Sequence, residues 1–166
     1  MAGSSSHPDG LRIRPPIASE VHVLTEFNCL MAVETEGLIL DPTLVTAGVA
    51  GLIADPRHGF YRVAELDGKV VGQLCVTYEW SDWRNGVYWW IQSVFVAKPH
   101  RGKGVFTALF DSVKQSALET PGVRGLRLYA FSENSGAIET YQRLGMAKTH
   151  YIVFESLWPA DEASGK

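Results

Sequence analysis

The sequence predicts an α/β fold in which helices cover one central mixed sheet. Segments with helical apolar spacing alternate with segments rich in β-branched and aromatic residues. GFYRVAEL and KVVGQLCVTYEW flank Asp67-Gly68, a strong hairpin signal. LRLYA (126–130) has little polar content, as expected of a strand covered on both faces. The chain has 166 residues, 46% of them hydrophobic, which suits one compact domain. Its expected span is 11–158, with a loose polar arm at 1–10 and a similar tail at 159–166.

LRIR (11–14) is a short strand stopped by Pro15 and Pro16. From Ser19, read as an N-cap, Val23, Leu24, Phe27 and Met31 follow helical spacing until Gly37. A second helix fits Pro42–Ala54 and ends at the breaker sequence DPRHG. The two hairpin strands follow, and the next strand runs from about Val87 to Val96. Strict alternation puts Gln92, Val94 and Val96 on one face and Ile91, Ser93 and Phe95 on the other. After the turn PHRGKG, Phe106, Leu109, Phe110 and Val113 form one apolar stripe of a helix that Pro121-Gly122 closes. A last helix opens near Asn134, carries Ala137, Tyr141 and Leu144 on one face, and stops at Gly145. HYIVFE (150–155) reads as the final strand.

The formal net charge of -3 gives no reason to expect a nucleic-acid partner, which would want a basic face. No apolar run is long enough to span a bilayer, and MAGSSSHPDG lacks the basic and apolar regions of a signal peptide, so a cytoplasmic location is expected. Cys29 and Cys75 read as buried, reduced thiols. The histidines are scattered singly, so no metal site is expected. No Ser/His/Asp or Cys/His arrangement suggests a covalent intermediate.

Strand, short turn, glycines and a helix start make an arrangement that binds phosphate. Unsatisfied N–H groups and the helix dipole both favour an anion there. Gly102 and Gly104 let the backbone approach closely, and Arg101 and Lys103 add positive charge. A Walker loop needs Ser or Thr after the Lys, and a dinucleotide fingerprint needs a third glycine. Neither is present.

VFVAKPHRGKGVFTAL resembles the acyl-CoA-binding motif of the GNAT acetyltransferase superfamily, Arg/Gln-x-x-Gly-x-Gly/Ala. Here it reads Arg101, Gly102, Lys103, Gly104, Val105, Phe106. Phe106 departs from the small residue usual at that place, but it retains its backbone N–H, and its ring falls on the apolar stripe. NSGAIETYQRLGM (134–146) resembles the second signature of the same family, and the likeness extends over roughly 63–155. The resemblance implies a GNAT-like central mixed, mostly antiparallel sheet, flanked by about four helices, with splayed central strands. It implies acetyl-CoA as cosubstrate and direct transfer of the acetyl group to an amine. The turn at 101–106 would hold the pyrophosphate, and the backbone of Val94, Phe95 and Val96 the pantetheine. Tyr141 would protonate the departing thiolate, or serve only as a core tyrosine. Asn134 would contact the cofactor, or simply cap its helix. A non-catalytic CoA-binding or sensing module of the same fold is the alternative.

The acceptor side is marked by EWSDWRNGVYWWIQS (79–93), where tryptophans mix with Glu79, Asp82 and Arg84. Aromatic walls with acidic groups suit a cationic amine. By family analogy Glu34 and Glu36 also face the acceptor groove. Glu34, Trp80 and Trp83 are therefore the expected acceptor contacts, and Glu79 the expected general base. A surface hairpin with its tryptophans half in the core is the plainer reading. The expected assembly is a monomer or a homodimer.

Overall fold

The computed structural model describes residues 7–156 and Trp158. The expected tail, and the arm apart from 7–10, lie outside these residues. The chain divides into two compact units between Phe131 and Ser132. The first holds β1 (Arg12–Arg14), α1 (Val21–Glu36), α2 (Pro42–Ala54), β2 (Gly59–Leu66), β3 (Lys69–Ser81), β4 (Gly86–Val96), α3 (Val105–Glu119) and β5 (Val123–Arg127). The second holds α4 (Ser135–Arg143).

The strands form one sheet in the order β1-β2-β3-β4-β5. All neighbours are antiparallel except β4 and β5, which run parallel. The β2–β3 hairpin turns at Asp67-Gly68, both with positive φ (51° and 72°), the geometry that matches strand twist in a two-residue turn. α1 contacts β3, β4 and α2, and α2 contacts β2, while α3 lies against all five strands. Leu24, Val49, Tyr61, Val63 and Cys75 form the core between the sheet and α1–α2. Of the expected stripe of α3, Leu109, Phe110 and Val113 are buried and Phe106 is half-buried, with Val105 buried beside them.

Asp41 caps α2 by accepting from Thr43 N at 2.8 Å, and Pro42 occupies the first turn, where its missing N–H costs nothing. α1 ends at Gly37, whose left-handed conformation (φ 68°) closes the helix through bonds from Gly37 N to Val33 O and Leu38 N to Ala32 O. Its start differs from the Ser19 cap. A 3-10 turn at Ala18–Glu20 comes first, held by the Glu20 carboxylate accepting from Ile17 N at 2.9 Å.

Three strand expectations are corrected. β5 covers Val123–Arg127 rather than 126–130, because Val87 N reaches Gly122 O at 2.9 Å and sets the ladder that far back. Residues 151–155 are exposed and form no strand, since the described part of their unit offers no neighbouring strand to pair with. β4 does not alternate strictly. Gln92 pairs with Cys75 and Phe95 with Gln73, so Ser93 and Val94 together oppose Leu74. This is a β-bulge, with Ser93 at φ 49°. Because paired residues share a face, Gln92 and Phe95 point the same way although they are three apart. The Phe27 and Phe95 ring centroids lie 4.9 Å apart, which puts that face against α1.

Candidate active site

The phosphate-type turn is present at the start of α3. Gly102 and Gly104 have φ of 70° and 79°, backbone conformations that L side chains rarely adopt. Gly104 is the N-cap and, lacking a side chain, supplies no cap of its own. The first bond of the helix runs from Ala108 N to Gly104 O, which places Val105 N ahead of the intrahelical ladder. A Cβ built on Gly102 would meet no protein atom within 4 Å, so the turn is open on that side. Val105 is buried and anchors the helix start to the sheet. The Phe106 ring lies 6.2 Å from that of Phe110, on the stripe as expected.

The turn is braced by side chains. Arg101 Nε donates to Val96 O at 2.7 Å, its Nη2 donates to Glu34 at 2.7 Å, and its guanidinium lies 5.2 Å from the Phe95 ring centroid. Lys98 reaches the other Glu34 oxygen at 3.3 Å. The hydrogen bond from Arg101 holds the Glu34 carboxyl below the usual carboxylate range. Glu34, read from sequence as an acceptor contact, thus sits beside a residue read as a cofactor contact. It ties the end of α1 to the turn.

Next to the turn, the β4–β5 ladder runs only from Val87↔Val123 to Trp90↔Arg127. β4 continues to Val96. The central strands therefore splay, and the β5-facing edge of β4 beyond Trp90, including Val94, Phe95 and Val96, is outside that ladder. An extended ligand can bond to such an edge as an added strand does.

The aromatic and acidic stretch is organised around a cation the sequence reading missed. Arg127 of β5 donates to both Glu79 oxygens, at 2.8 and 3.1 Å, and its guanidinium lies 3.8 Å from the Tyr88 ring centroid. Trp90 Nε1 also donates to Glu79. Glu79, the expected base, is thus held by two donors. Trp89 is buried, its ring edge-on to Phe60 at 5.1 Å. Trp80 and Trp83 are 63% and 89% exposed, so they stand at the turn end of the β3–β4 hairpin and wall no enclosed cage among the described residues. The signal for Arg127 was its place in a strand otherwise read as apolar, where a charge needs a partner.

In the second unit, the Asn134 side chain accepts from Ala137 N at 3.1 Å and caps α4. Tyr141 lies in the last turn of that helix, and burial pushes its phenol above the ordinary value. No group of three or more His, Cys, Asp or Glu able to hold a metal occurs among the described residues. No helix among them is long and apolar enough to cross a membrane.

Comparison with known proteins decides the family. The model of the acetyltransferase (GNAT) family matches residues 32–146, well over half of the chain. The chain belongs to this family. Among solved structures, a possible acetyltransferase from Clostridium difficile is 41% identical, with a TM-score of 0.83, and the match covers 90% of this chain and 99% of that one. A predicted acetyltransferase from Clostridium acetobutylicum, solved with acetyl-CoA, shares the fold at a TM-score of 0.72 and 14% identity, over 88% of this chain and 96% of that one. An uncharacterized N-acetyltransferase from Methanocaldococcus jannaschii is 35% identical over 102 residues. That match covers 61% of this chain and 44% of the relative, so the chain spans less than half of that relative's length. The turn, the splayed strands and the α4 signature thus lie within or beside a GNAT match that runs through all three.

Proposed function

We propose that this protein is an N-acetyltransferase that takes an acetyl group from acetyl-CoA and transfers it directly to an amine. The observation that carries the reading is the turn at 101–106, whose left-handed Gly102 and Gly104 lead into the start of α3, beside an edge of β4 outside the β4–β5 ladder. The residues present fit the donor. A diphosphate needs several converging N–H groups and positive charge, and a pantetheine arm needs an extended backbone edge. Acetyl-CoA, when bound, supplies an acetyl thioester.

The chain's own groups divide the remaining work. Amides of Gly102, Lys103, Gly104, Val105 and Phe106 hold the diphosphate, and Arg101 and Lys103 set its charge. The backbone of Val94, Phe95 and Val96 aligns the arm, and an N–H there polarises the reacting carbonyl as an oxyanion hole does. The Tyr141 phenol, raised by burial, keeps its proton at neutral pH and presents it at Oη. Glu79 can act as base toward the amine, or toward a water, only by exchanging one of its bonds to Arg127 or Trp90. The exposed Trp80 and Trp83 contribute to acceptor contact at the hairpin end. Cys29 and Cys75 are free thiols, which fits a reducing, cytoplasmic setting.

Thiol release from acetyl-CoA, followed in the presence of a panel of small amines and peptides, tests the reading. Amine-dependent release supports transfer. CoA binding without release for any amine would make this a binding module instead. Absence of CoA binding would remove the donor assignment.

A further inference from the structure

A buried polar network lies where α1 crosses the β4 bulge. Gln73 on β3 is fully buried. Its Nε2 donates to Asn28 Oδ1 on α1 at 2.6 Å and to Ser93 O on β4 at 3.2 Å. Asn28 Nδ2 in turn donates to Tyr61 Oη on β2 at 3.3 Å. Burial, first of all, pushes that phenol up to about 12 and the neighbouring Cys75 thiol up to about 12, so both stay neutral members of the network.

The amide carries a penalty of its own. Gln73 Oε1 is buried and has no hydrogen-bond partner among the described residues. Such an atom is destabilising, while an apolar side chain in its place would leave Asn28 Oδ1 and Ser93 O without this donor. What the amide does supply is a donor to the carbonyl of Ser93. Ser93 is the bulge residue held at φ 49°, a conformation that is unfavourable for a non-glycine residue. The bulge also decides how Val94, Phe95 and Val96 are presented, since it resets which face and which backbone groups point away from β3.

We propose that Gln73 is a positioning residue for the acyl donor. By holding Ser93 O, with Asn28 fixing its amide, it locks the bulge and thereby the β4 edge that receives the pantetheine arm. The inference rests on the CoA reading above, and its test separates the two. Gln73→Met keeps the side-chain volume and removes the donor. Wild-type and variant proteins are titrated with CoA and with 3′-phospho-ADP, which carries the nucleotide and diphosphate but no pantetheine. Amide exchange of residues 94–96 is measured on the ligand-free proteins.

The expected result is a still cooperative melt at a lower temperature, since two buried acceptors lose their donor, and exchange at 94–96 about tenfold faster. CoA affinity should fall about tenfold while 3′-phospho-ADP affinity changes less than twofold, the size of one or two hydrogen bonds. Equal loss for both ligands, or no loss for either, would overturn the inference and leave the donor reading standing. Failure of the wild-type protein to bind CoA would overturn both. Should Gln73→Met fail to fold, Asn28→Ser decides. It leaves Gln73 in place but removes its anchor, and a CoA-specific loss of about threefold is expected. Unchanged affinity for both ligands in that variant would overturn the inference.

Discussion

Substituting Gly102 with alanine separates folding from donor binding. Gly102 has φ 70°, where an alanine costs about 1–2 kcal/mol because its Cβ crowds the following carbonyl. No further cost arises from packing, since a Cβ there meets no protein atom within 4 Å. In a protein of this size each kcal/mol moves Tm by about 2–4 °C, so the variant should melt about 2–8 °C lower and still cooperatively. That open side is where a diphosphate would approach the amides of the turn. A methyl group that pushes the anion off one of them forfeits a charge-assisted hydrogen bond, about 1.5–3 kcal/mol, or roughly 10- to 150-fold in affinity. Calorimetric titration with CoA, beside a thermal melt of the same sample, reads both numbers. A lower Tm with CoA affinity within twofold of wild type would refute the reasoning, because the turn would then not be in contact with the ligand.

Other perturbations have different signatures. Glu34→Gln should tighten CoA binding about threefold at low salt, because it removes a negative charge held 2.7 Å from Arg101, and the gain should shrink in 0.5 M NaCl as screening rises. An unchanged affinity at both salt concentrations would detach Glu34 from the donor site. Tyr141→Phe should lower turnover at least tenfold with CoA affinity nearly intact, as removal of a proton donor does; equal rates would leave Tyr141 a packing residue. Arg14 bridges Glu20 and Glu65 at 2.6 Å each, all three largely shielded, so Arg14→Met should lower stability by about 1–2 kcal/mol in urea unfolding. The same bridge sets a pH dependence. The hydrogen bond from Arg14 depresses the Glu20 carboxyl, so its contribution is complete above the unfolded value and is lost as pH falls through the folded one. Wild type should therefore lose more stability than Arg14→Met on acidification below the ordinary carboxylate range, and parallel losses would contradict the assignment.

The features legible in the sequence were those set by local chemistry. Asp41 and Pro42 fix the start of α2 through a cap and a preset φ, both readable within three residues. The Asp67-Gly68 turn joins β2 and β3 in the same way and sets the pairs next to it, Leu66 with Lys69 and Glu65 with Val70. What failed depends on a distant partner. Alternation in 87–96 gives no hint of the bulge, because the extra residue shows only when β3 is laid beside it and Gln73 meets Ser93 O. Residues 150–155 have strand composition, yet a strand also needs a neighbour. Glu79 looked available for catalysis because Arg127, 48 positions away, becomes its partner only through the parallel β4–β5 ladder. The turn before α3 was legible because its glycines, its basic residues and the helix that follows are contiguous.

A crystal structure of the protein grown with CoA would bear most directly on the donor site. The diphosphate should lie about 3 Å from backbone nitrogens within 102–106, a normal hydrogen-bond distance, with the pantetheine running along the β4 edge at 94–96. A nucleotide seated away from the start of α3, with that helix end facing only solvent, would contradict the assignment.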